Sequence, residues 1–129
     1  MNSNLRLAMA VVAGGVIGAV VSQTINAQAP KTGPGIIITE HEVRDSQGYA
    51  PYAAGVPATL EALGGRLLVN GGEVTTLEGD RPKGRMTVIT FDTVEKAQAW
   101  YQSPAYQAIK SVRLKAANSR VYLVEGVAN

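Results

Sequence analysis

The residues best suited to chemistry in this sequence are one histidine and a set of tyrosine, amide and guanidinium side chains. His41 is the only histidine in the 129 residues, and an imidazole that titrates near neutral pH can act as a general acid or base. No Ser, Cys or carboxylate stands at a recognisable catalytic spacing from His41. The alternative is therefore a hydrogen-bonded or partly exposed residue of a strand, on the same face as Ile37, Thr39 and Val43. The catalytic residues therefore stay unassigned, with His41 as the one candidate.

A small-molecule pocket between a sheet and its helices is the site that the other polar residues predict. Tyrosines commonly line such pockets, and Arg113 could hold an anionic ligand through two hydrogen bonds. Asn70 precedes Gly71 and Gly72, whose backbone N–H groups could bind a carboxylate or an oxyanion. The predicted ligand-binding residues are Tyr52, Asn70, Tyr101, Tyr106 and Arg113. Each also has a structural interpretation: tyrosines at a core edge, a glycine bulge after Asn70, and a surface ion pair for Arg113.

The sequence gives little support for a metal site or a cofactor-binding motif. The chain has no Cys, which removes disulfides and thiolate chemistry, and its single His excludes a multi-His metal site within one subunit. Glu73, Glu78 and Asp80 show no metal-ligand spacing and are typical of a solvated acidic loop. A phosphate-binding loop, a dinucleotide fingerprint and a GxSxG motif are all missing from the sequence. We therefore expect no metal and no tightly bound cofactor.

The N-terminal segment has the organisation of a signal peptide. Arg6 precedes an uncharged apolar run from Leu7 to Val21, and small and polar residues follow up to Ala27. We predict a Sec-type signal peptide over residues 1–27 and a periplasmic or secreted mature protein. The alternative is an uncleaved anchor in the inner membrane.

That anchor would use residues 7–25. The apolar run itself spans roughly 22 Å as a helix, whereas the hydrocarbon core of a bilayer is about 30 Å thick. Cleavage would also remove Arg6 from a total of 12 basic residues and leave 11 against 10 acidic ones. The mature chain then has no broad basic field to attract phosphates, so we expect no nucleic-acid partner. Contact with a membrane is expected only through an uncleaved N-terminal segment.

Strand-like and helix-like segments alternate along the predicted domain, residues 36–129, which follows a Pro- and Gly-rich linker over 28–35. Strands are predicted over 36–43, 66–70, 85–91 and 120–127, with 73–78 continuing the second strand after a bulge. The first helix is predicted over 49–63, and Pro57 should kink or divide it near Gly55. The second begins at a cap on Asp92 and ends at Asn118-Ser119. It restarts at Ser103-Pro104.

The order β-α-β-β-α-β predicts an α+β, ferredoxin-like fold: a four-stranded antiparallel sheet with two helices on one face. Apolar residues occupy both alternating faces of every strand; Leu67 and Val69, for example, are expected on the face opposite to Leu68. Two helices cover only one face of such a sheet, and the chain has no further element for the other. We therefore predict a homodimer that packs sheet to sheet.

Several motifs resemble the bacterial family known as domain of unknown function 1330. They are Pro57–Arg66, Leu77–Asp80, Val88–Phe91, Ala99–Tyr106 and Val124–Val127, together with Arg113-x-x-Ala116. The resemblance implies a dimeric α+β barrel, related to small monooxygenases and stress-responsive barrel proteins. It transfers no catalytic residue, because the family has no established reaction. The expected function is binding or transforming a small organic molecule without a tightly bound cofactor; the alternative is a non-catalytic structural or stress-associated module of the cell envelope.

Overall fold

The computed structural model describes residues 14–15 and 32–129. The predicted signal peptide, apart from Gly14 and Gly15, and the first residues of the linker lie outside this part. The strands are β1 (Gly35–Val43), β2 (Arg66–Asn70), β3 (Arg85–Phe91) and β4 (Ala117–Glu125). The helices are α1 (Ser46–Leu60), α2 (Val94–Gln102) and α3 (Pro104–Ala116), and a 3-10 turn (Glu61–Leu63) follows α1. No helix in the described ranges has the length and apolar character that crossing a membrane requires.

The four strands form one antiparallel sheet in the order β2-β3-β1-β4. The predicted ferredoxin-like α+β fold is confirmed. Strand β1 lies in the middle of the sheet, where Ile37 pairs with Ile89 of β3 and with Leu123 of β4. Because β1 has neighbours on both sides, its alternating residues define the two faces of the whole sheet.

The helices cover the face that carries the odd-numbered residues of β1. Ile37, Thr39 and His41 are all at most 3% exposed, whereas the intervening Ile36 and Ile38 are only half-buried. The core consists of apolar and aromatic side chains from this face and from the helices above it, chiefly Ile37, Ile89, Phe91, Tyr52, Val56, Leu60, Trp100 and Tyr106. This alternation agrees with the prediction that His41 shares a face with Ile37.

Helix α1 begins at a side-chain cap and runs without a break past Pro57. The Asp45 carboxylate accepts a hydrogen bond of 3.0 Å from the Gly48 backbone N–H. The predicted division near Gly55 is wrong, since the helix continues to Leu60. A Cβ on Gly55 would lie 3.2 Å from Ile109 Cγ2, so this glycine lets α1 and α3 approach closely.

Helices α2 and α3 meet at Ser103-Pro104, as the sequence predicts. The Ser103 hydroxyl accepts from the Tyr106 backbone N–H at 3.3 Å, with Pro104 in the first helical turn. The predicted cap at Asp92 is wrong. Thr93 is the cap instead, because its hydroxyl accepts from the Lys96 backbone N–H at 3.1 Å, whereas Asp92 forms an ion pair with the Lys96 side chain.

Two strand boundaries also differ from the prediction. Residues 73–78 form no strand, and the bulge lies within β2 instead, at Leu68. The bulge turns Leu67 towards the helices and Val69 towards the open face, so these two residues do not share a face.

Strand β4 starts and ends earlier than expected. It runs from Ala117 to Glu125, because the Ala116 carbonyl accepts hydrogen bonds from the backbone N–H groups of Arg44 and Asp45 just beyond β1. Asn118 and Ser119 therefore belong to β4 and do not terminate the helix.

Candidate functional site

His41 lies on β1 beneath helix α1 and is 1% exposed. Its neighbours across the sheet are Arg85 on β3 and Ser119 on β4. The Ser119 hydroxyl and His41 Nδ1 are 2.7 Å apart and share a hydrogen bond. Ser119 thus fixes the ring, and no hydrogen bond within the described residues uses the second nitrogen, Nε2.

The tyrosines of α1 lie directly against this imidazole. The ring centroids of Tyr49 and Tyr52 are 5.9 Å and 5.7 Å from that of His41. Both tyrosines point inward because they occur three residues apart on the buried side of the helix. The Tyr52 hydroxyl is 3.1 Å from the Tyr106 hydroxyl, and this hydrogen bond links α1 to α3.

A small cavity lies between α1 and the sheet at this point. Its walls include Thr39, His41, Thr87, Tyr49, Tyr52 and Asn70, and apolar side chains such as Leu67 complete it. The free space for solvent-sized atoms is about 20 Å³, which is room for one water molecule. The cavity is therefore small and largely polar on its sheet side.

Arg113 on α3 is a buried cation beside this cavity. It is 2% exposed, and its guanidinium carbon lies 5.5 Å from the centroid of the Tyr52 ring. Its Nε atom is buried without a hydrogen-bond partner. In residues 32–129 no carboxylate lies within ion-pair distance of this guanidinium, and no group of three or more acidic or histidine side chains could hold a metal ion.

The electrostatics of the cluster keep its titratable groups neutral. Burial, together with the positive charges of Arg113 and Arg85, lowers the pKa of His41 to about 4. Burial also raises the pKa of Tyr49, and the pKa of Tyr52 rises through burial and the nearby Tyr106 hydroxyl. At neutral pH the site therefore holds a neutral imidazole, protonated phenols and an uncompensated guanidinium.

Asn70 lies at the rim of the cavity and is exposed. Its side-chain and backbone oxygens both accept from Nη2 of Arg85, at 2.7 Å and 3.1 Å. The Gly71 N–H donates to the Met86 carbonyl at 2.8 Å, and Gly71 has a φ of 70°. This N–H is thus used within the protein, and the positive φ explains a glycine at this position.

The structure separates Tyr101 from the other predicted residues. Its ring lies 5.3 Å from that of Tyr106, but it lines a different surface groove, together with residues such as Gln98 and Leu123. The amine of Lys110 lies 4.8 Å above the Tyr101 ring. One cavity is lined by three residues of the predicted set, Tyr52, Asn70 and His41. Two others, Tyr106 and Arg113, do not line it but contact Tyr52.

Five polar residues of the cluster are missing from the predicted set: Thr39, Tyr49, Arg85, Thr87 and Ser119. Ser119 was placed at the end of a helix, and Arg85 was considered only as the start of a strand. The one available signal is the alternation of β1, which puts His41 on the covered face. The partners then follow from strand register, which the pattern of β4 alone does not fix.

The family assignment rests on a match over most of the chain. Residues 34–127 match the profile of the family described as Domain of unknown function (DUF1330). The chain belongs to this family. The DUF1330 match includes all four strands and all three helices, so the resemblance seen in the sequence motifs is confirmed.

Solved structures similar to this DUF1330 protein share its fold at low sequence identity. The RPA0582 protein of unknown function from Rhodopseudomonas palustris is 20% identical, with a TM-score of 0.60 over 75% of this chain and 85% of that one. A candidate antibiotic biosynthesis monooxygenase from Caulobacter crescentus is 9% identical, with a TM-score of 0.56 over 75% and 92%.

A dimeric ferredoxin-like protein of unknown function from Thermobifida fusca is 10% identical, with a TM-score of 0.53 over 78% and 97%. No curated protein matches the chain. These likenesses establish the fold and leave the activity to be argued from the site.

Proposed function

We propose that this DUF1330 domain binds a small organic molecule in the cavity beside His41, without a tightly bound cofactor. The observation that carries the proposal is the concentration of buried polar groups around this cavity. Thr39, His41 and Thr87 occupy positions on the helix-covered face where aliphatic side chains would need no hydrogen bonds. The Thr39 hydroxyl donates to the Thr87 carbonyl at 3.4 Å and His41 Nδ1 bonds to Ser119, which leaves Nε2 of His41 for a ligand. A purely structural module has no need of this arrangement.

The cavity offers a ligand both shape and hydrogen bonds. The rings of Tyr49 and Tyr52 give it an aromatic wall, and a neutral His41 with a free Nε2 can donate to or accept from a bound polar atom. A proton transfer step with His41 is the chemistry that this geometry supports if the ligand is transformed. The fold likeness to a candidate monooxygenase agrees with a small organic substrate.

Binding anything larger than water requires the cavity to open. Leu67 and Asn70 belong to β2, an edge strand that pairs only with β3. The opposite wall is α1, where Ala53 lines the cavity. We therefore expect ligands to enter between β2 and α1, where separation breaks the fewest backbone hydrogen bonds.

We further propose that the domain is a homodimer that acts outside the cytoplasm. The sheet face without helices carries Ile36, Ile38, Val88, Tyr122 and Val124, and the last two are 55% and 46% exposed. A second copy of the same face would bury this apolar surface. The dimeric character of the Thermobifida fusca protein supports this assembly. Export is supported by the signal-peptide pattern of residues 1–27.

A ligand screen with a cavity-filling variant tests the binding proposal. Thermal unfolding of the wild type is measured against small aromatic and aliphatic acids, alcohols and amides. At about a hundredfold excess over Kd a ligand adds about 2.7 kcal/mol, or roughly 10 °C in Tm for a domain of this size. In Ala53→Leu the added side chain occupies the cavity, so we expect the ligand-induced shift to vanish.

The matched control is Ala54→Leu, which makes the same change at the exposed neighbouring position of α1. It should keep the full ligand-induced shift. Wild-type protein that no member of a broad panel stabilises would contradict the binding proposal and favour the non-catalytic module.

A further inference from the structure

The buried charge of Arg113 has no counter-ion in the protein. The chain contains ten Asp and Glu residues, and residues 1–31 include none of them. All ten therefore lie in the described part of the chain, where no carboxylate comes within ion-pair distance of Arg113. Arg113, which is 2% exposed as a residue, thus keeps its charge without a carboxylate partner, and its buried Nε makes no hydrogen bond.

The contacts that Arg113 makes do not offset the free-energy cost of burying its charge. Its guanidinium carbon lies 5.5 Å from the centroid of the Tyr52 ring, and this cation–π contact attracts the charge without neutralising it. Removing an ion from water costs several kcal/mol even after the protein relaxes. Arg85 adds a second positive charge near the same cluster, since both guanidinium groups lower the pKa of His41. Further neutral groups would not balance these charges, but an anion would.

We propose that the ligand of this site is an organic carboxylate whose negative charge is bound by Arg113. The inference rests on the proposed binding function and names the class of ligand. Tyr52 lines the cavity and also contacts Arg113, so its ring separates the cavity from the guanidinium. When the Tyr52 side chain moves and releases the Tyr106 hydroxyl, a carboxylate in the enlarged cavity reaches Arg113 and receives two parallel hydrogen bonds.

The same arrangement selects against other ligand classes. A cationic amine would meet two guanidinium groups and find no carboxylate within the cluster. A neutral amide of the same shape could use the aromatic wall and His41, but it would leave Arg113 without a counter-charge. Discrimination between an acid and its amide is therefore the property that Arg113 confers.

The test compares benzoate with benzamide, measured by calorimetry on the wild-type protein and on Arg113→Gln. We expect the wild type to bind benzoate at least about tenfold more tightly than benzamide, a difference of about 1.4 kcal/mol. In Arg113→Gln the two affinities should become equal through loss of benzoate binding, with benzamide affinity unchanged. Lys115→Gln removes an exposed cation from the same helix and should keep the preference.

The single histidine provides a second readout that a packing role for Arg113 would not change. Because the charge of Arg113 lowers the pKa of His41, benzoate bound at Arg113 should raise that pKa in an NMR titration of the wild type, and this benzoate-dependent rise should be lost in Arg113→Gln. Equal wild-type affinity for benzoate and benzamide overturns the carboxylate assignment and leaves the binding function standing. No binding of either compound, or of any acid or neutral analogue in the panel, overturns both. If Arg113→Gln does not fold, the wild-type ratio decides, and Arg113→Lys should retain part of it.

Discussion

Both faces of the sheet carry side chains that depart from the usual relation between burial and polarity. On the face beneath the helices, Thr39 and His41 are at most 3% exposed although both are polar. On the opposite face Ile36 and Ile38 remain only half-buried although both are apolar, and Tyr122 is 55% exposed. In an ordinary two-layer α+β domain the covered face is apolar and the open face polar. Each face of this sheet therefore carries side chains that depart from this pattern, although Ile37, Ile89 and Phe91 on the covered face follow it.

The contrast teaches that the two faces require different partners. Apolar surface is stabilised by removing it from water, which needs area and shape but little specific chemistry, so a second copy of the sheet suffices. Buried polar groups and an unpaired cation are stabilised only by complementary hydrogen bonds and charge. A small polar ligand meets that need, whereas a second sheet does not.

A charge on the open face should have a large effect on dimerisation. Ile38 pairs with Val88 and Tyr122 at the centre of this face, so Ile38→Lys places an ammonium group where the second sheet would pack. We expect the dimer dissociation constant to rise by at least about a hundredfold, or about 2.7 kcal/mol, in light scattering and sedimentation measurements. The control is Leu114→Lys, at a 57% exposed position of α3; this variant should still have the mass of a dimer. A wild-type protein that is monomeric at micromolar concentration would refute the dimer.

Alanine substitutions of Ile36 and Ile37, which lie on opposite faces, should differ in how their effect on stability depends on protein concentration. Ile37→Ala removes a fully buried side chain and should lower the free energy of unfolding by about 3 kcal/mol at any protein concentration. Ile36→Ala removes a half-buried one from the dimer face, and its cost should grow between about 1 µM and about 100 µM protein. Urea unfolding at the two concentrations measures both effects. Equal costs that do not depend on concentration would show that the open face has no partner.

Titration of His41 should produce a smaller loss of stability that is specific to the covered face. The pKa of His41 is about 4 in the folded protein and 6.5 in its reference state, so the unfolded chain binds the proton first as the pH falls. Stability that is fully present above pH 7 should therefore decrease by about 2 kcal/mol by pH 5, through this residue alone.

The measurement is denaturant unfolding as a function of pH, with His41→Gln as the variant that lacks the titrating ring. The difference in pH dependence between the two proteins isolates the imidazole. NMR of the only histidine in the chain gives its pKa directly. A value near 6.5 in the folded protein would mean that the covered face is more accessible to water than its packing indicates.

The sequence by itself determined the features that depend on neighbours along the chain. The helical pattern of residues 49–63 predicted α1, and Ser103-Pro104 predicted the start of α3. The alternation of β1 placed His41 on the same face as Ile37. These features are local, because side-chain periodicity and capping act within a few residues.

Only the tertiary structure decided which distant groups meet. Ser119 reaches His41 across 78 residues of chain because β4 pairs with β1 in one register, and a shift of one residue would have turned its hydroxyl to the other face. The bulge at Leu68 shifts the register within β2, so Leu67 and Val69 lie on opposite faces of the sheet. Packing of α3 on α1 brought Arg113 against Tyr52 without any carboxylate. The sequence lists the charged residues, but the absence of a counter-ion depends on every distance around Arg113, and packing sets those distances.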